Sequence, residues 1–281
     1  MTNAIVVQAR MGSSRLPGKV LRPLAGRPML AHLLERLGHA RTADVVVVAT
    51  SAEPADQALV ELAEHEGALA VTGPEHDVLT RYLMAAQAAG ADELVRVTSD
   101  CPLIDPGVID AAVELRRATG VDYVSAGSLG GVVRGLDCEA FTRAALERAD
   151  LMDTDLASRE HVTLELFHSP QAFSTLLWEA PPELRRPGWR LCVDEQADLK
   201  LLEAIYERLW RPGHIIGFAE VAALLDAEPA LAALNAQVEQ RSYPGQDRPR
   251  PPLHTAPGQA SPRAANNALD AVSSGMPPTT G

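Results

Sequence analysis

The 281-residue chain has only three cysteines, Cys101, Cys138 and Cys192, widely spaced and without a CxxC pair. An odd, scattered set of this kind excludes a disulfide framework and a cysteine-rich zinc site, and it suits a reducing cytoplasm. No apolar run approaches the roughly 20 residues a membrane span requires. Met1 leads into a strand-like segment with no basic leader and no small-residue cleavage site. The eight histidines form no HExxH or close pair, and neither GxSxG nor GxGxxG occurs. A zinc hydrolase, an esterase elbow and a dinucleotide-binding turn therefore lack their signatures. Lysine is scarce too: of 25 basic residues only Lys19 and Lys200 are lysine.

Acid is missing from the first 34 residues, which instead carry Arg10, Arg15, Lys19, Arg22 and Arg27. The whole chain has a formal net charge of −12, so the remainder carries −17. Such a field repels polyanions, which argues against nucleic acid and anionic membranes as partners. A cationic entry in an acidic chain points to one compact anion held at one place.

Runs of β-branched residues alternate with amphipathic segments of helical length. Ala4–Ala9, Val45–Ala49, 68–71, 94–97 and 121–124 read as strands, and the first, second and fourth are apolar on both faces, as in a covered parallel sheet. Helices are expected over 28–38, 54–66, 77–89 and 106–118, with Asp105 as N-cap before Pro106. This alternation predicts a three-layer α/β domain with right-handed crossovers. Past residue 125 the pattern loosens: a Gly-rich loop over 127–135, a helix over 156–167, strands over 172–178 and 189–193, then helices over 196–209, 218–225 and 229–239. Residues 241–281 hold 8 Pro, 4 Gly and one aromatic residue. They cannot bury enough surface to offset their ordering entropy, so residues 1–240 form the expected domain and 241–281 a disordered tail.

The first strand runs into Arg10-Met11-Gly12-Ser13-Ser14-Arg15-Leu16-Pro17-Gly18-Lys19. A strand, a small-residue loop with three cations, then a helix is how α/β folds cradle phosphate. The spacing is not that of a Walker A loop, since Pro17 stands where the second glycine belongs and Val20 follows the lysine. Keeping Lys19 in an Arg-dominated chain suits a compact ammonium approaching one phosphate oxygen.

QARMGSSRLPGKVL (Gln8–Leu21) resembles the opening motif of the cytidylyltransferases, most closely the spore-coat polysaccharide F type, with CMP-Kdo and CMP-sialic acid synthetases as relatives. The resemblance continues in family order through EHDVLTRY (75–82), RVTSDCPLIDP (96–106), GLDCEAF (135–141), REHVT (159–163) and WRLCVDEQADL (189–199). It implies a Rossmann-like nucleotide-diphospho-sugar transferase fold with a mainly parallel central sheet. It also implies Mg²⁺-dependent transfer of CMP from CTP to a sugar, sugar acid or similar anionic acceptor, with release of pyrophosphate, in a cytoplasmic homodimer. In the family pattern a glycine precedes the metal-binding aspartate, where this chain has Ser99. Thr-Pro-Glu is replaced after Asp194 by Glu195-Gln196-Ala197, and His76 and Thr80 stand where acids are common.

By that resemblance Arg10, Lys19 and Asp100 are catalytic, and Arg10, Arg15 and Lys19 hold the triphosphate. Gln8, Ala9, Gly12 and Ser13 complete the nucleotide loop, and Asp100 and Asp194, each after a strand, would coordinate Mg²⁺. Thr50, Asp77 and Arg81 are candidates for base or ribose contacts, with helix capping and an i,i+4 Asp77–Arg81 pair as the alternatives. Asp137, Glu139, Arg159 and His161 fall in the acceptor half, Arg159 being the candidate for an acidic group on the acceptor. Two other readings stay open. A glycosyltransferase on the related fold would usually carry DxD where this chain reads Ser99-Asp100-Cys101. A non-catalytic nucleotide-binding partner would act through the tail.

Overall fold

In a computed structural model, which describes residues 1–240 and 251–254, the β-branched runs become strands β1 (Asn3–Gln8), β4 (Val45–Ser51), β5 (Leu69–Gly73), β6 (Glu93–Thr98) and β7 (Tyr123–Ala126). Between β1 and β4, β2 (Pro23–Leu24) and β3 (Arg27–Pro28) form a separate small hairpin. With β8 (Cys138–Thr142), β9 (Thr175–Trp178) and β10 (Leu253–His254), the others form one eight-stranded sheet of order β10-β9-β7-β8-β6-β1-β4-β5. Every neighbouring pair is parallel except those made by β8, which is antiparallel to both β6 and β7.

The chain places helices on both faces of this sheet, giving the three layers expected. They are α1 (Met29–Leu37), α2 (Gln57–His65), α3 (Val78–Ala89), α4 (Pro106–Thr119), α5 (Arg143–Met152), α6 (Leu156–Glu160), α7 (Leu164–His168), α8 (Gln196–Leu209), α9 (Phe218–Ala227) and α10 (Pro229–Ala232). Strand β1 shows why both faces need cover. Ile5 and Val7 pack into one core with Leu30 and Leu33 of α1 and Ile109 of α4, while Ala4 and Val6 pack into the other with Tyr82 of α3 and Leu146 of α5. All four strand side chains are fully buried, as the period of two demands when both faces are covered. Asp105 caps α4 by accepting from Gly107 N (2.8 Å), with Pro106 in the first turn. Among the described residues no helix is long and apolar enough to cross a membrane.

Four expectations change after residue 125. Residues 138–142 form β8 and 143–152 form α5, neither of which was expected. The helix over 156–167 is two short helices, broken at Val162, whose φ of 60° is left-handed and unfavourable for a β-branched side chain. The stretch 189–193 is no strand. It makes one isolated bridge, Arg134 with Arg190, then stitches two loops together through Leu191 N to Arg134 O and Val193 N to Asp100 O, both 2.8 Å. The helix expected over 229–239 ends at Ala232, followed by a 3-10 turn over Ala233–Asn235. The expected disordered tail lies outside the described residues apart from 251–254, where β10 pairs in parallel with β9.

The reversal of β8 has a direct consequence for the site. Its N-terminus lies at the same rim of the sheet as the C-termini of β6 and β7, because Arg96 is paired with Glu139 and Ala126 with Cys138. Asp137, just before β8, therefore reaches the rim that also carries Asp100.

Candidate active site

The loop after β1 is pinned from the neighbouring strand. Met11 N donates to Asp56 Oδ1 (2.7 Å), and the almost fully buried Asp56 also accepts from Ser51 N at the end of β4. Ser13 N and Gly18 N both donate to Met11 O, and Gly18, at φ +67°, turns the chain into the 3-10 turn Lys19–Leu21. The left-handed conformation there favours glycine and directs Lys19 back across the loop. Gln8, Ala9, Arg10, Ser13, Arg15, Lys19 and Arg81 thereby line one cavity of about 230 Å³, together with Asp100 and Asp194.

Lys19 is the centre of a charge cluster. Its Nζ donates to Asp100 Oδ2 (3.0 Å), Asp194 Oδ1 (3.1 Å) and Val193 O (2.6 Å), which uses all three ammonium hydrogens. Burial alone would lower the Lys19 pKa, but the two carboxylates outweigh it and hold it above its ordinary value. Burial likewise opposes ionisation of Asp100, yet Lys19 and the Thr98 and Cys101 side chains hold its carboxyl well below the usual range. Ser99, in the place of the family glycine, needs no left-handed backbone: the positive-φ non-glycine residues described are Ala25 and Val162.

Asp194 is held from several sides. Arg15 Nη2 lies 2.8 Å from its Oδ1, and Arg190 pairs with its other oxygen. Beneath it, the fully buried Asp198 accepts from Asp194 N and Glu195 N (both 2.9 Å), Arg190 Nε (3.0 Å) and Asn235 Nδ2 (2.8 Å). The helix N-cap is Glu195, so Asp194 is released from capping and its carboxylate stays with the cations.

A second, larger cavity of about 620 Å³ shares Arg15, Thr98, Asp100, Glu160 and Asp194 with the first. Its far wall includes Arg96, Ser125, Arg134, Asp137, Glu139 and His161. Arg96 donates to Gln8 Oε1 (3.0 Å) and Glu139 Oε2 (2.9 Å), and Thr163 Oγ1 donates to the same Glu139 oxygen (2.8 Å), so a polar chain runs across β1, β6 and β8. Asp137 accepts from Gly135 N (2.9 Å); burial, with Asp100 and Glu139 nearby, keeps its pKa raised against the pull of Arg134. Burial and then Arg96 lower the His161 pKa, favouring the neutral imidazole.

Of the expected site residues, Gln8, Ala9, Arg10, Ser13, Arg15, Lys19, Arg81, Asp100 and Asp194 thus converge on one cavity, and Asp137, Glu139 and His161 line the other. Arg10 reaches Glu160 (3.1 Å) at their junction. Gly12, Thr50, Asp77 and Arg159 are not among the lining residues of either. Thr50 is buried at the end of β4. Asp77 caps α3 by accepting from Thr80 N (2.9 Å), and it pairs with Arg159, not with Arg81. Arg159 spends its donors on Asp77, Asp150, Thr80 Oγ1 and Asp153 O, so it clamps α3 to the segment joining α5 and α6. Arg81 donates to Pro74 O and Glu75 O (both 3.0 Å). The site roles of Arg96, Arg134, Arg190 and Asp198 were not picked out from the sequence; a charge inside a strand-like apolar run, as at Arg96 and Arg190, was the available signal.

A sheet rim with a cationic loop, two convergent carboxylates and two adjoining cavities defines a nucleotidyltransferase. The chain belongs to the cytidylyltransferase family, whose profile matches residues 4–225. It is 37% identical over 240 residues to an uncharacterized protein of Methanocaldococcus jannaschii, covering 85% of this chain and 96% of that one. It is 30% identical over 232 residues to the spore coat polysaccharide biosynthesis protein SpsF of Bacillus subtilis (81% and 95%). A 3-deoxy-manno-octulosonate cytidylyltransferase of Anaeromyxobacter dehalogenans is 38% identical over 134 residues, covering 45% of this chain and 54% of that protein. Among solved structures, a cytidylyltransferase from Leptospira borgpetersenii superposes with a TM-score of 0.77 at 28% identity, over 86% of this chain and all of that one. A CMP:2-keto-3-deoxy-manno-octonic acid synthetase complexed with CTP shares the fold, with a TM-score of 0.57 at 19% identity over 75% of this chain and 100% of that one.

Proposed function

We propose that the enzyme transfers CMP from CTP to a hydroxyl of a sugar acid or similar small acceptor, releasing pyrophosphate. The observation that carries this reading is the junction of the two cavities at Arg15, Asp100 and Asp194. The triphosphate lies along the cationic loop in the smaller cavity, the acceptor occupies the larger, and the α-phosphorus sits where they meet. The acceptor oxygen gives up its proton to solvent and forms the new bond to that phosphorus, and the bond to the α,β-bridging oxygen breaks, its electron pair leaving with pyrophosphate. Arg10, Arg15 and Lys19 balance the charge that builds on the departing group, the main need of such a transfer. Relatives named as 3-deoxy-manno-octulosonate cytidylyltransferases support a sugar-acid acceptor.

Asp100 and Asp194 fit a Mg²⁺ ion. Both present hard oxygen donors to one point, the Lys19 ammonium at 3.0 and 3.1 Å. Among the described residues no cluster of three or more His, Cys, Asp or Glu could hold a metal by itself. One or two carboxylates with substrate phosphates is the usual way Mg²⁺ is held in such sites, where it neutralises phosphate charge. From the family resemblance we also carry the proposal of a homodimer. Incubation with CTP, Mg²⁺ and a panel of sugar acids is expected to release pyrophosphate and form a CMP-linked product. Unchanged turnover in Asp100→Asn, or in EDTA, would contradict the mechanism.

A further inference from the structure

Among the described residues, the larger cavity contains one arginine with no ion pair and no side-chain hydrogen bond. Arg15 and Arg96, which also line it, are both ion-paired, with Asp194 and Glu139 respectively. Arg134 is not: among the described residues it has no ion pair within 4.0 Å, and its buried Nε has no hydrogen-bond partner. Burial disfavours the charge of this half-buried guanidinium, and nearby groups including Asp137 offset that, so the charge is kept although no acid is in contact with it. Asp137 is near enough to interact electrostatically, yet its carboxylate accepts its hydrogen bond from Gly135 N (2.9 Å).

The backbone holds Arg134 in this position. Arg134 O accepts from Leu191 N (2.8 Å), and the next residue, Gly135, has φ +100°. A Cβ at Gly135 would come within 2.4 Å of Leu191 C and 2.8 Å of Cys192 N. This tight crossing of two loops fixes where the Arg134 side chain starts. Arg134 lines the larger cavity and is absent from the lining of the smaller one, so it stands on the acceptor side of the junction.

We propose that Arg134 binds a carboxylate of the acceptor, a role that Arg159, locked in its clamp, leaves open. A planar guanidinium matches a carboxylate in a bidentate pair. Charge favours a carboxylate over a phosphate. The cavity's lining has three arginines (15, 96 and 134) against five carboxylates (Asp100, Asp137, Glu139, Glu160 and Asp194), with His161 favoured neutral, and a dianion meets more of that repulsion than a monoanion does. The assignment rests on the cytidylyl-transfer reading for its placement of nucleotide and acceptor.

Binding to the full chain, with α,β-methylene-CTP present, tests it directly. A panel of 2-keto-3-deoxy sugar acids, their methyl esters and sugar phosphates of matching size is titrated calorimetrically into wild type, Arg134→Met and Arg134→Lys. Wild type is expected to bind at least one acid about tenfold or more tighter than its ester, as a hydrogen-bonded charge pair warrants. Arg134→Met is expected to erase that preference and Arg134→Lys to keep part of it, with CTP-induced thermal shifts unchanged in both. Equal binding of acid and ester by wild type, a preference for phosphates, no acid binding at all, or a preference surviving in Arg134→Met would each overturn the assignment. Acid binding that depends on Arg134 without pyrophosphate release from CTP would overturn the transfer reading and leave the role of Arg134 standing.

Discussion

Lys19 Nζ and Asp100 Oδ2 lie 3.0 Å apart although 81 positions separate them in the chain. Lys19 is the ion-pair partner of Asp100 among the described residues, whereas Asp194 also has Arg15 and Arg190. Lys19→Met should therefore unbalance Asp100 most and remove a charge from the cationic loop. Steady-state pyrophosphate release is expected to show kcat/KM down by about 10²–10³-fold, the scale of losing one electrostatic donor in a transferase site. Lys19→Arg should restore little, because a planar fork cannot aim donors at Asp100, Asp194 and Val193 O together.

Asp198 has no solvent exposure and holds Arg190, Asn235 and the backbone of Asp194 and Glu195. Asp198→Ala leaves Arg190 with one of its two acidic partners and strands several donors. Urea unfolding is expected to show a loss of about 3 kcal/mol, and turnover should fall because Asp194 is no longer held. Stability within about 0.5 kcal/mol of wild type would refute this account.

Gly135→Ala combines a left-handed backbone with a Cβ 2.4 Å from Leu191 C. The neighbour is backbone, so relief requires the two loops to part. A loss of about 2 kcal/mol or more in denaturant unfolding is expected. A stability equal to wild type would show that the two loops part easily at this crossing.

Asp77 supplies a pH test. Burial pushes its carboxyl pKa up, but hydrogen bonds from Arg159 and Thr80 win and hold it below the ordinary value. The unfolded chain therefore takes up this proton first. The stabilisation is present above the unfolded pKa of about 4 and is lost as pH falls through the lower folded value. Asp77→Asn should melt lower at pH 7 and lose less on acidification between about pH 5 and 3, followed by differential scanning fluorimetry. An acid limb as steep as that of wild type would exclude Asp77 as its source.

The local parts of the site were legible because local forces make them. Residues 4–7 are apolar at every position, as in a strand covered on both faces. Asp105-Pro106 announces a helix start, and the cationic loop ending in Gly18-Lys19 follows a strand end. Strand β8 was not legible: five residues carrying Glu139 show no run of apolar side chains, and their reversed direction is set by pairing with β6 and β7. Nor could spacing tell Arg159, which clamps Asp77, from Arg134, which lines the larger cavity.

By itself the sequence determined the alternation of strands and helices, the composition of the cationic loop, and the candidacy of Lys19, Asp100 and Asp194. These are encoded in side-chain periodicity and short spacing. The tertiary structure decided which charges meet. The sheet order brings the ends of β1, β6 and β8 to one rim, and the stitch of residues 191–193 to Arg134 and Asp100 adds Asp194. Charge pairing across 80 to 175 positions depends on register and loop crossing, and neither leaves a local trace in the chain.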